Sequence, residues 1–220
     1  MSDGTVFAGD VVYGFEWTDS GDAERLVALH GHDLRFVRTW GKWLAWDGQR
    51  WAADTGAVYR AAKATARAMH AAADGMDGDE RKRVIRYALK MESRKSIEAM
   101  VSLARHDIRI AITHSDLDAD RMLFNVLNGT IDLKAGRLEP HGRSHLITKL
   151  APVAYASEAK CPQWDAFVLR VMGGDAEMVE YLQRLAGYAL TGEIREHVLA
   201  FFFGKGANGK STFLRTLHAV

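Results

Sequence analysis

The segment that decides the expected fold is Val198-Leu199-Ala200-Phe201-Phe202-Phe203-Gly204-Lys205-Gly206-Ala207-Asn208-Gly209-Lys210-Ser211-Thr212. Residues 204–211 match the pattern G-x-x-x-x-G-K-[ST] of a phosphate-binding P-loop. The apolar run before it, residues 198–203, has the β-branched and aromatic character of a strand buried on both faces. The residues after it can open a helix. A strand, a glycine-rich loop and a helix in this order predict the first unit of an α/β P-loop NTPase.

The residue types in this loop suit nucleotide binding. Glycines let the backbone bring its N–H groups to phosphate oxygens, and the positive end of the helix dipole adds to anion binding. Lys210 would reach the β- and γ-phosphates as the catalytic cation, and the Ser211 hydroxyl would ligate the metal. We therefore predict ATP and Mg²⁺ as cofactors, held by Gly204, Lys205, Gly206, Ala207, Asn208, Gly209, Lys210, Ser211 and Thr212. A chance glycine-rich loop is the alternative.

The position of the motif in the sequence sets a second expectation. A P-loop NTPase also needs a strand that ends in an acidic residue, and usually an arginine finger. Only residues 213–220 follow the motif. We therefore interpret the sequence as the front part of a larger NTPase, and we leave open whether these residues hydrolyse ATP on their own.

Composition excludes several other classes of protein. The 220 residues are 48% hydrophobic, carry a net charge of +1 and include one cysteine, Cys161. They can build a core in one large or two small domains, without a disulfide framework. Any DNA contact must come from a local patch, because no global basic field is present. The sequence starts without a secretion signal and has no run of about 20 apolar residues, so we predict a cytoplasmic protein with no membrane partner.

Periodicity and turn signals predict an α+β front domain of helices and small antiparallel hairpins, then a helical lead-in to the P-loop. Predicted helices cover residues 22–30, 56–73, 79–90 and 93–105, and two more begin at Pro162 and after Asp175. Predicted strands cover residues 35–37, a hairpin at 43–51 with Asp47-Gly48 as a two-residue turn, the segments flanking Asn128-Gly129, and residues 147–156. The predicted divisions are an irregular segment at 1–21, the front domain at 22–157 and the lead-in with the P-loop at 158–220.

Three blocks in this order resemble the phage and plasmid primase–helicases of the P4 type, in which a D5-like N-terminal domain precedes a superfamily 3 helicase. The first block is the hairpin Trp43-Leu44-Ala45-Trp46-Asp47-Gly48. The second is Phe124-Asn125-Val126-Leu127-Asn128-Gly129-Thr130-Ile131-Asp132-Leu133, followed by Pro140-His141. The third is the P-loop, with Asn208 before Gly-Lys-Ser-Thr.

The resemblance implies an ATP-driven, AAA+-like helicase that forms a homo-hexameric ring on single-stranded or replication-fork DNA. It implies a role in phage or plasmid DNA replication in a bacterial host, with a primase fused or separate. Polymerising activity is not predicted, because little sequence precedes the D5-like region. One alternative is a non-enzymatic module that docks DNA or partners and keeps a remnant or binding-only P-loop. Another P-loop motor, for packaging or partition, fits the hairpin and β region less well.

A basic block on the predicted helix at 79–90 and the start of the next helix is the candidate DNA contact: Arg81, Lys82, Arg83, Arg86, Lys90, Arg94 and Lys95. A solvated helix face is the ordinary explanation of such a block. A phosphate-tracking patch would instead lose affinity steeply with salt.

Tryptophans of the hairpin region offer possible base-stacking rings. Pairing outward from the turn places Leu44, Trp46 and Trp51 on one face and Trp43 on the other. We expect Trp46 and Trp51 to form the hairpin's core, and Trp43 is left open between core and DNA contact.

Acidic and histidine clusters are weak metal candidates. The segment Asp116-Leu117-Asp118-Ala119-Asp120 lacks the glycine and glutamate of a calcium loop, so we expect a solvated turn. Two histidine groups, His30 with His32 and Asp33 and His106 with Asp107 and His114, lack the spacing of a zinc site.

Overall fold

The structure, a computed structural model, describes residues 12–219. The chain forms two compact units, the first made of Met1–Asp47 and Trp51–Leu117 and the second of Gly48–Arg50 and Asp118–Val220. The predicted irregular segment at 1–21 lies mostly outside the described residues. Within residues 12–219, no helix combines the length and the apolar character that crossing a membrane requires.

Among the described residues, the first unit contains helices and a four-stranded sheet. The helices are α1 (Asp19–His30), α2 (Thr55–Ala71), α3 (Gly78–Met91) and α4 (Arg94–Ala104). The strands are β1 (Leu34–Val37), β2 (Lys42–Trp46), β3 (Trp51–Ala53) and β4 (Ala111–Ile112), in the order β3-β2-β1-β4. Strand β4 runs parallel to β1, and the other pairs are antiparallel. These elements confirm the predicted helices and the strand at 35–37.

The core of this unit lies where the helical periodicity places it. The α2 residues at helical spacing, Val58, Ala62, Thr65 and Met69, are each 0% exposed. Polar caps fix where the helices begin. The side chains of Thr18, Asp54 and Ser93 accept backbone N–H bonds from the first turns of α1, α2 and α4. Local signals therefore determine both the ends and the buried faces of these helices.

An ion pair lies inside this core. Arg25 Nη1 donates to Asp22 Oδ1 at 2.5 Å, and the two residues are 0% and 2% exposed. The Tyr87 hydroxyl donates to the other carboxylate oxygen at 3.1 Å. Burial raises the pKa of the Asp22 carboxyl, and Arg25 opposes that shift. The charges are tolerated in the core because their hydrogen bonds replace water.

The tryptophan hairpin forms with a different turn from the predicted one. Trp46 pairs with Trp51, so residues 47–50 form a four-residue connection in place of the two-residue Asp47-Gly48 turn. The register shifts by two residues, which keeps every side chain on its predicted face because the period of a strand is two. Trp43 faces away from the Trp46–Trp51 pair and is 5% exposed.

The second unit contains an antiparallel sheet and three helices. The strands β5 (Leu123–Val126), β6 (Gly129–Asp132) and β7 (Arg137–Glu139) lie in the order β5-β6-β7. The helices are α5 (Pro162–Val171), α6 (Ala176–Leu190) and α7 (Lys210–His218). The helices predicted after Pro162 and Asp175 are confirmed. The predicted hairpin forms, but its turn lies one residue earlier than Asn128-Gly129: Val126 pairs with Gly129, so Leu127-Asn128 is the turn and Gly129 belongs to β6. The predicted division of the chain at residue 157 stays a prediction.

Hydrogen bonds and one close backbone approach explain several residues of the second sequence block. Asn125 is 5% exposed, and its Oδ1 accepts from Thr130 Oγ1 and from His141 Nδ1, each at 2.9 Å. Gly129 has φ +155, and a Cβ there would lie 2.4 Å from the carbonyl oxygen of Glu139. Only glycine lets β7 approach β6 this closely.

The strand predicted at 147–156 does not form. Side chains form hydrogen bonds with several of its backbone groups instead. Asp118 accepts from the N–H of Thr148 at 2.7 Å, and Asn125 Nδ2 donates to the carbonyl of Lys149 at 3.0 Å. Asn128 makes two bonds with the backbone of Tyr155, at 2.9 Å each. These bonds satisfy groups that a ladder would otherwise need, so the segment stays irregular.

Candidate functional site

The glycine-rich loop turns sharply before α7. Gly204, Gly206, Ala207 and Gly209 all have positive φ, and Gly209, at φ +80, is the N-cap of the nine-residue helix α7. A left-handed backbone at an N-cap directs the following N–H groups toward one point. The first turn of α7 has no side-chain cap, so its N–H groups face outward.

Lys210 points back into this loop. Its Nζ donates to Asn208 Oδ1 at 2.8 Å and to the carbonyl of Gly204 at 3.2 Å. The sequence motif places Asn208 among the predicted cofactor-binding residues but does not say what its side chain contacts. The structure shows that Asn208 holds the lysine amine inside the loop. A cation is therefore positioned beside the free N–H groups of α7.

The loop is fastened to α5 by close packing at Gly209. A Cβ at this position would lie 2.7 Å from Val171 Cγ1 and 3.0 Å from Phe167 Cζ. Behind the loop, Phe213 of α7 is 5% exposed and stacks on Trp164, with ring centroids 5.5 Å apart. Helix α7 is therefore held by α5 at the turn that carries Lys210.

The segment before the loop does not form the predicted strand. Residues 198–203 form no regular secondary structure and pair with no strand in the described part of the chain. Phe201 is 80% exposed and Phe203 is 90% exposed. Phe202 alone turns inward and packs on Phe213, with ring centroids 5.8 Å apart. A strand needs a neighbour to accept its backbone hydrogen bonds, and hydrophobicity alone does not supply one.

The residues predicted to hold metal and phosphate occupy this loop. Ser211 and Thr212 are exposed in the first turn of α7, beside Lys210. Lys205 is exposed in the loop itself. Within residues 12–219, no group of three His, Cys, Asp or Glu side chains is arranged to hold a metal ion. A metal here would therefore depend on Ser211 together with the phosphates of a nucleotide.

The basic block is solvated and lies in the first unit. All seven of its residues are exposed on α3 and at the start of α4. Lys82 Nζ lies 3.1 Å from Asp79, Arg94 Nε lies 2.8 Å from Glu98, and Lys90 Nζ lies 5.3 Å from the centre of the Tyr87 ring. Several cations of the block are therefore occupied by neighbours on their own helices.

The tryptophans serve mainly as core. Trp51 is 1% exposed beneath the Arg35 guanidinium, and Trp43 packs on Phe36, with ring centroids 5.1 Å apart. This burial removes Trp43 as a base-stacking ring. Trp46 is half-buried, and Trp40 is 49% exposed.

The acidic segment at 116–120 supplies local hydrogen-bond acceptors. Asp116 accepts from the N–H of Thr113 at 2.7 Å, and this bond lowers the pKa of its carboxyl. Asp118 accepts from Thr148, and Asp120 from the N–H of Met122 at 3.0 Å. Asp116 and Asp120 therefore stabilise local turns, whereas Asp118 binds a residue 30 positions along the chain.

Comparison with known proteins gives one result for the central part of the chain. Residues 23–173 match the family model described as D5 N terminal like. The matched range contains Asn125, Gly129 and His141, whose contacts are described above. A search of the curated proteins found no match.

Proposed function

The chain belongs to the D5 N-terminal-like family, which indicates a replication protein of the primase–helicase type, and on this premise we propose that it is the front part of an ATP-dependent DNA helicase. The matched range covers residues 23–173, and the P-loop pattern follows it in the same chain. The order of a D5-like domain and then a nucleotide-binding loop is the order expected of such a helicase.

One observation carries the nucleotide part of this proposal. Lys210 is held at the mouth of a glycine loop by Asn208, directly before the free N–H groups of α7. In the proposed complex, ATP phosphates take over the lysine amine and these N–H groups, and Ser211 ligates Mg²⁺. The fit is supported by Gly204 and Gly209, because a Cβ would lie 2.0 Å from Asn208 Nδ2 at the first position and 2.7 Å from Val171 at the second.

The exposed apolar segment before the loop supports a larger motor. Phe201 and Phe203 project from a segment that has no partner strand among residues 12–219. In a P-loop domain, this segment is a central strand with neighbours on both sides. We propose that further strands of the NTPase cover it.

The remaining parts of the proposal rest on the resemblance to P4-type primase–helicases. The complete protein is proposed to act as a homo-hexamer on single-stranded or fork DNA, with a fused or separate primase. Its proposed place is the cytoplasm of a bacterial host, during phage or plasmid replication. The α3 block, Arg81, Lys82, Arg83, Arg86 and Lys90, stays a predicted DNA contact.

The test of the nucleotide site is Lys210→Ala in the 220-residue chain, with binding of a fluorescent ATP analogue and Mg²⁺ measured by titration. A charge-assisted hydrogen bond contributes about 1.5–3 kcal/mol, so affinity should fall about 10- to 100-fold. Lys134→Ala is the matched control, because Lys134 is an exposed lysine outside the glycine-rich loop. Unchanged binding by Lys210→Ala would overturn the site.

A second function is a docking module whose P-loop binds nucleotide without turning it over. It is favoured by the absence, among residues 12–219, of any group of three His, Cys, Asp or Glu side chains arranged to hold a metal ion. A hydrolysing site needs an acidic residue to position water and metal. Saturable ATP binding without phosphate release from the 220-residue chain supports this module, and steady phosphate release excludes it.

A further inference from the structure

Helix α2 presents cations to solvent without any acidic residue. Residues 55–73 contain no Asp or Glu. The exposed side chains of α2 include one aromatic and four basic residues, which we name the α2 row: Tyr59, Arg60, Lys63, Arg67 and His70. The sequence pattern had singled out the denser α3 block and missed this row. The signal was the absence of carboxylates rather than the number of cations.

The row is fixed in its outward direction. On the opposite face of α2, Val58, Ala62 and Met69 are each 0% exposed in the core. Residues three or four apart on a helix are neighbours, so Arg60, Lys63 and Arg67 form one line about 10 Å long. The helix therefore presents the cations at a regular spacing.

Only part of the row is paired with acidic side chains. Arg60 pairs with Asp54, the N-cap of α2. Lys63 and Arg67 make no ion pair or hydrogen bond within the described part of the chain, residues 12–219. On α3, by contrast, Lys82 is paired with Asp79, and Glu80 and Glu92 stand at the two ends of the helix. Two cations of the α2 row, Lys63 and Arg67, therefore have no acidic partner within residues 12–219.

A cleft borders the row at Arg60. Its volume is about 510 Å³, and its walls include the Trp46 side chain and the small residues Ala57, Ala61 and Ala64. Asp33, Asp47 and Asp54 also line it. Carboxylates repel phosphate and accept hydrogen bonds from the amino groups of bases. The cations of the α2 row therefore suit phosphates, and the cleft beside them suits bases.

We propose that the α2 row binds the phosphodiester backbone of single-stranded nucleic acid, with bases directed toward the Trp46 cleft. Cations interleaved with aromatic rings are the usual arrangement for binding single strands without sequence preference. A membrane surface suits the row poorly, because a helix lying on lipid needs an exposed apolar face and that face of α2 is buried. The proposal is independent of nucleotide binding by the P-loop.

The experiment compares two double variants of the 220-residue chain. Lys63→Ala with Arg67→Ala removes two cations from the row. Lys134→Ala with Lys160→Ala, the control, removes two exposed cations that belong to neither the row nor the α3 block. Binding to a fluorescently labelled, mixed-sequence 20-nucleotide single strand is followed by anisotropy at several salt concentrations. Each phosphate contact contributes about 0.7 to the slope of log affinity against log salt, so the row variant should lose about 1.4 from the slope. Its affinity should fall at least about fivefold, and the control variant should change much less.

Three outcomes would overturn the proposal. One is that the wild-type chain does not bind the oligonucleotide at low salt. Another is that both variants lose the same affinity, which would mean that net charge alone matters. The third is that the chain binds phosphatidylserine vesicles and not the oligonucleotide. Circular dichroism checks that the variants fold. Lys210→Ala should bind the single strand as the wild type does, so failure of the P-loop and failure of the row are distinguishable.

Discussion

Helices α2 and α6 are of similar length, yet they differ in how much of their apolar face is covered. Helix α2, with 17 residues, buries Val58, Ala62, Thr65, Ala66 and Met69. Helix α6, with 15 residues, buries Leu182 alone, and its Met178 is 43% exposed. Both helices have apolar residues at helical spacing. The pattern therefore identifies the face that can be buried, and a neighbouring surface decides whether it is buried.

The largest expected effect contrasts two ion pairs, one in each region. Arg25→Ala leaves the buried Asp22 carboxylate without its partner, which should lower the free energy of unfolding by about 3–5 kcal/mol. Arg184→Ala removes an arginine whose side chain is 64% exposed in its pair with Glu180 on α6, and should cost about 0.5 kcal/mol or less. Urea unfolding followed by circular dichroism measures both. Equal losses would refute the contrast between the two regions.

The next effect tests a close backbone approach in the second unit. Gly129→Ala places a Cβ 2.4 Å from the carbonyl oxygen of Glu139, so β7 must move. We expect a loss of about 3 kcal/mol in this unit, measured by amide hydrogen exchange of residues 123–139.

Gly136→Ala is the matched control for that substitution. Gly136 has φ +67 and nothing within 4 Å of a Cβ, so only backbone strain of about 1–2 kcal/mol applies. If the two substitutions have the same effect, steric contact with β7 does not explain the requirement for glycine at 129.

A smaller predicted effect is the pH dependence of stability, which should have opposite signs at Asp22 and Asp116. Burial raises the pKa of Asp22, so its contribution to stability is complete below about pH 3.9 and is lost as pH rises through the raised value. Hydrogen bonds from Thr113 lower the pKa of Asp116, so its contribution is present above about pH 3.9 and is lost as pH falls.

Two variants test these signs through the urea midpoint between pH 3 and pH 6. Asp22→Asn should lose less stability than the wild type as pH rises above about 4. Asp116→Asn should lose less than the wild type as pH falls below about 4. Shifts of the same sign in both variants would show that the two carboxylates do not differ in this way.

The smallest expected effect is at the exposed segment before the loop. Phe201→Ser should change the stability of the 220-residue chain by about 0.5 kcal/mol or less, because Phe201 is 80% exposed. Phe213→Ala should cost several times more, since Phe213 is 5% exposed and stacks on Trp164. Thermal unfolding of both variants checks the ranking. A large effect of Phe201→Ser would mean that the segment is packed in this chain.

Features determined by neighbouring residues could be predicted from the sequence. The inner face of α2 and the Asp175 cap each depend on residues within one or two turns. The hairpin at Asn128 was also predicted, with its turn one residue too late. The predictions failed where distant side chains take part. Asp118 and Asn125 bind the backbone of Thr148 and Lys149, 30 and 24 residues away, and no local pattern in 147–156 reveals those partners.

The candidate site divides in the same way. The glycines and Lys210 follow from the motif alone. The role of Asn208 does not, because it depends on where the lysine amine rests. The α2 row is hard to predict because its cations are widely spaced in the sequence. Its distinguishing feature is that residues 55–73 contain no Asp or Glu. For Trp43, the sequence predicts which face of the hairpin the side chain occupies. It does not predict that the Phe36 ring covers that face.

The hydrogen bonds of Lys210 make Asn208 and the Gly204 carbonyl an internal competitor for any phosphate that enters the loop. Binding is then an exchange reaction, in which the incoming anion must first displace these bonds. In the proposed nucleotide complex, these bonds would lower the affinity for every nucleotide by the same factor, because they compete with the phosphate end alone. They therefore contribute nothing to the choice between adenine and guanine, and that discrimination must come from contacts elsewhere.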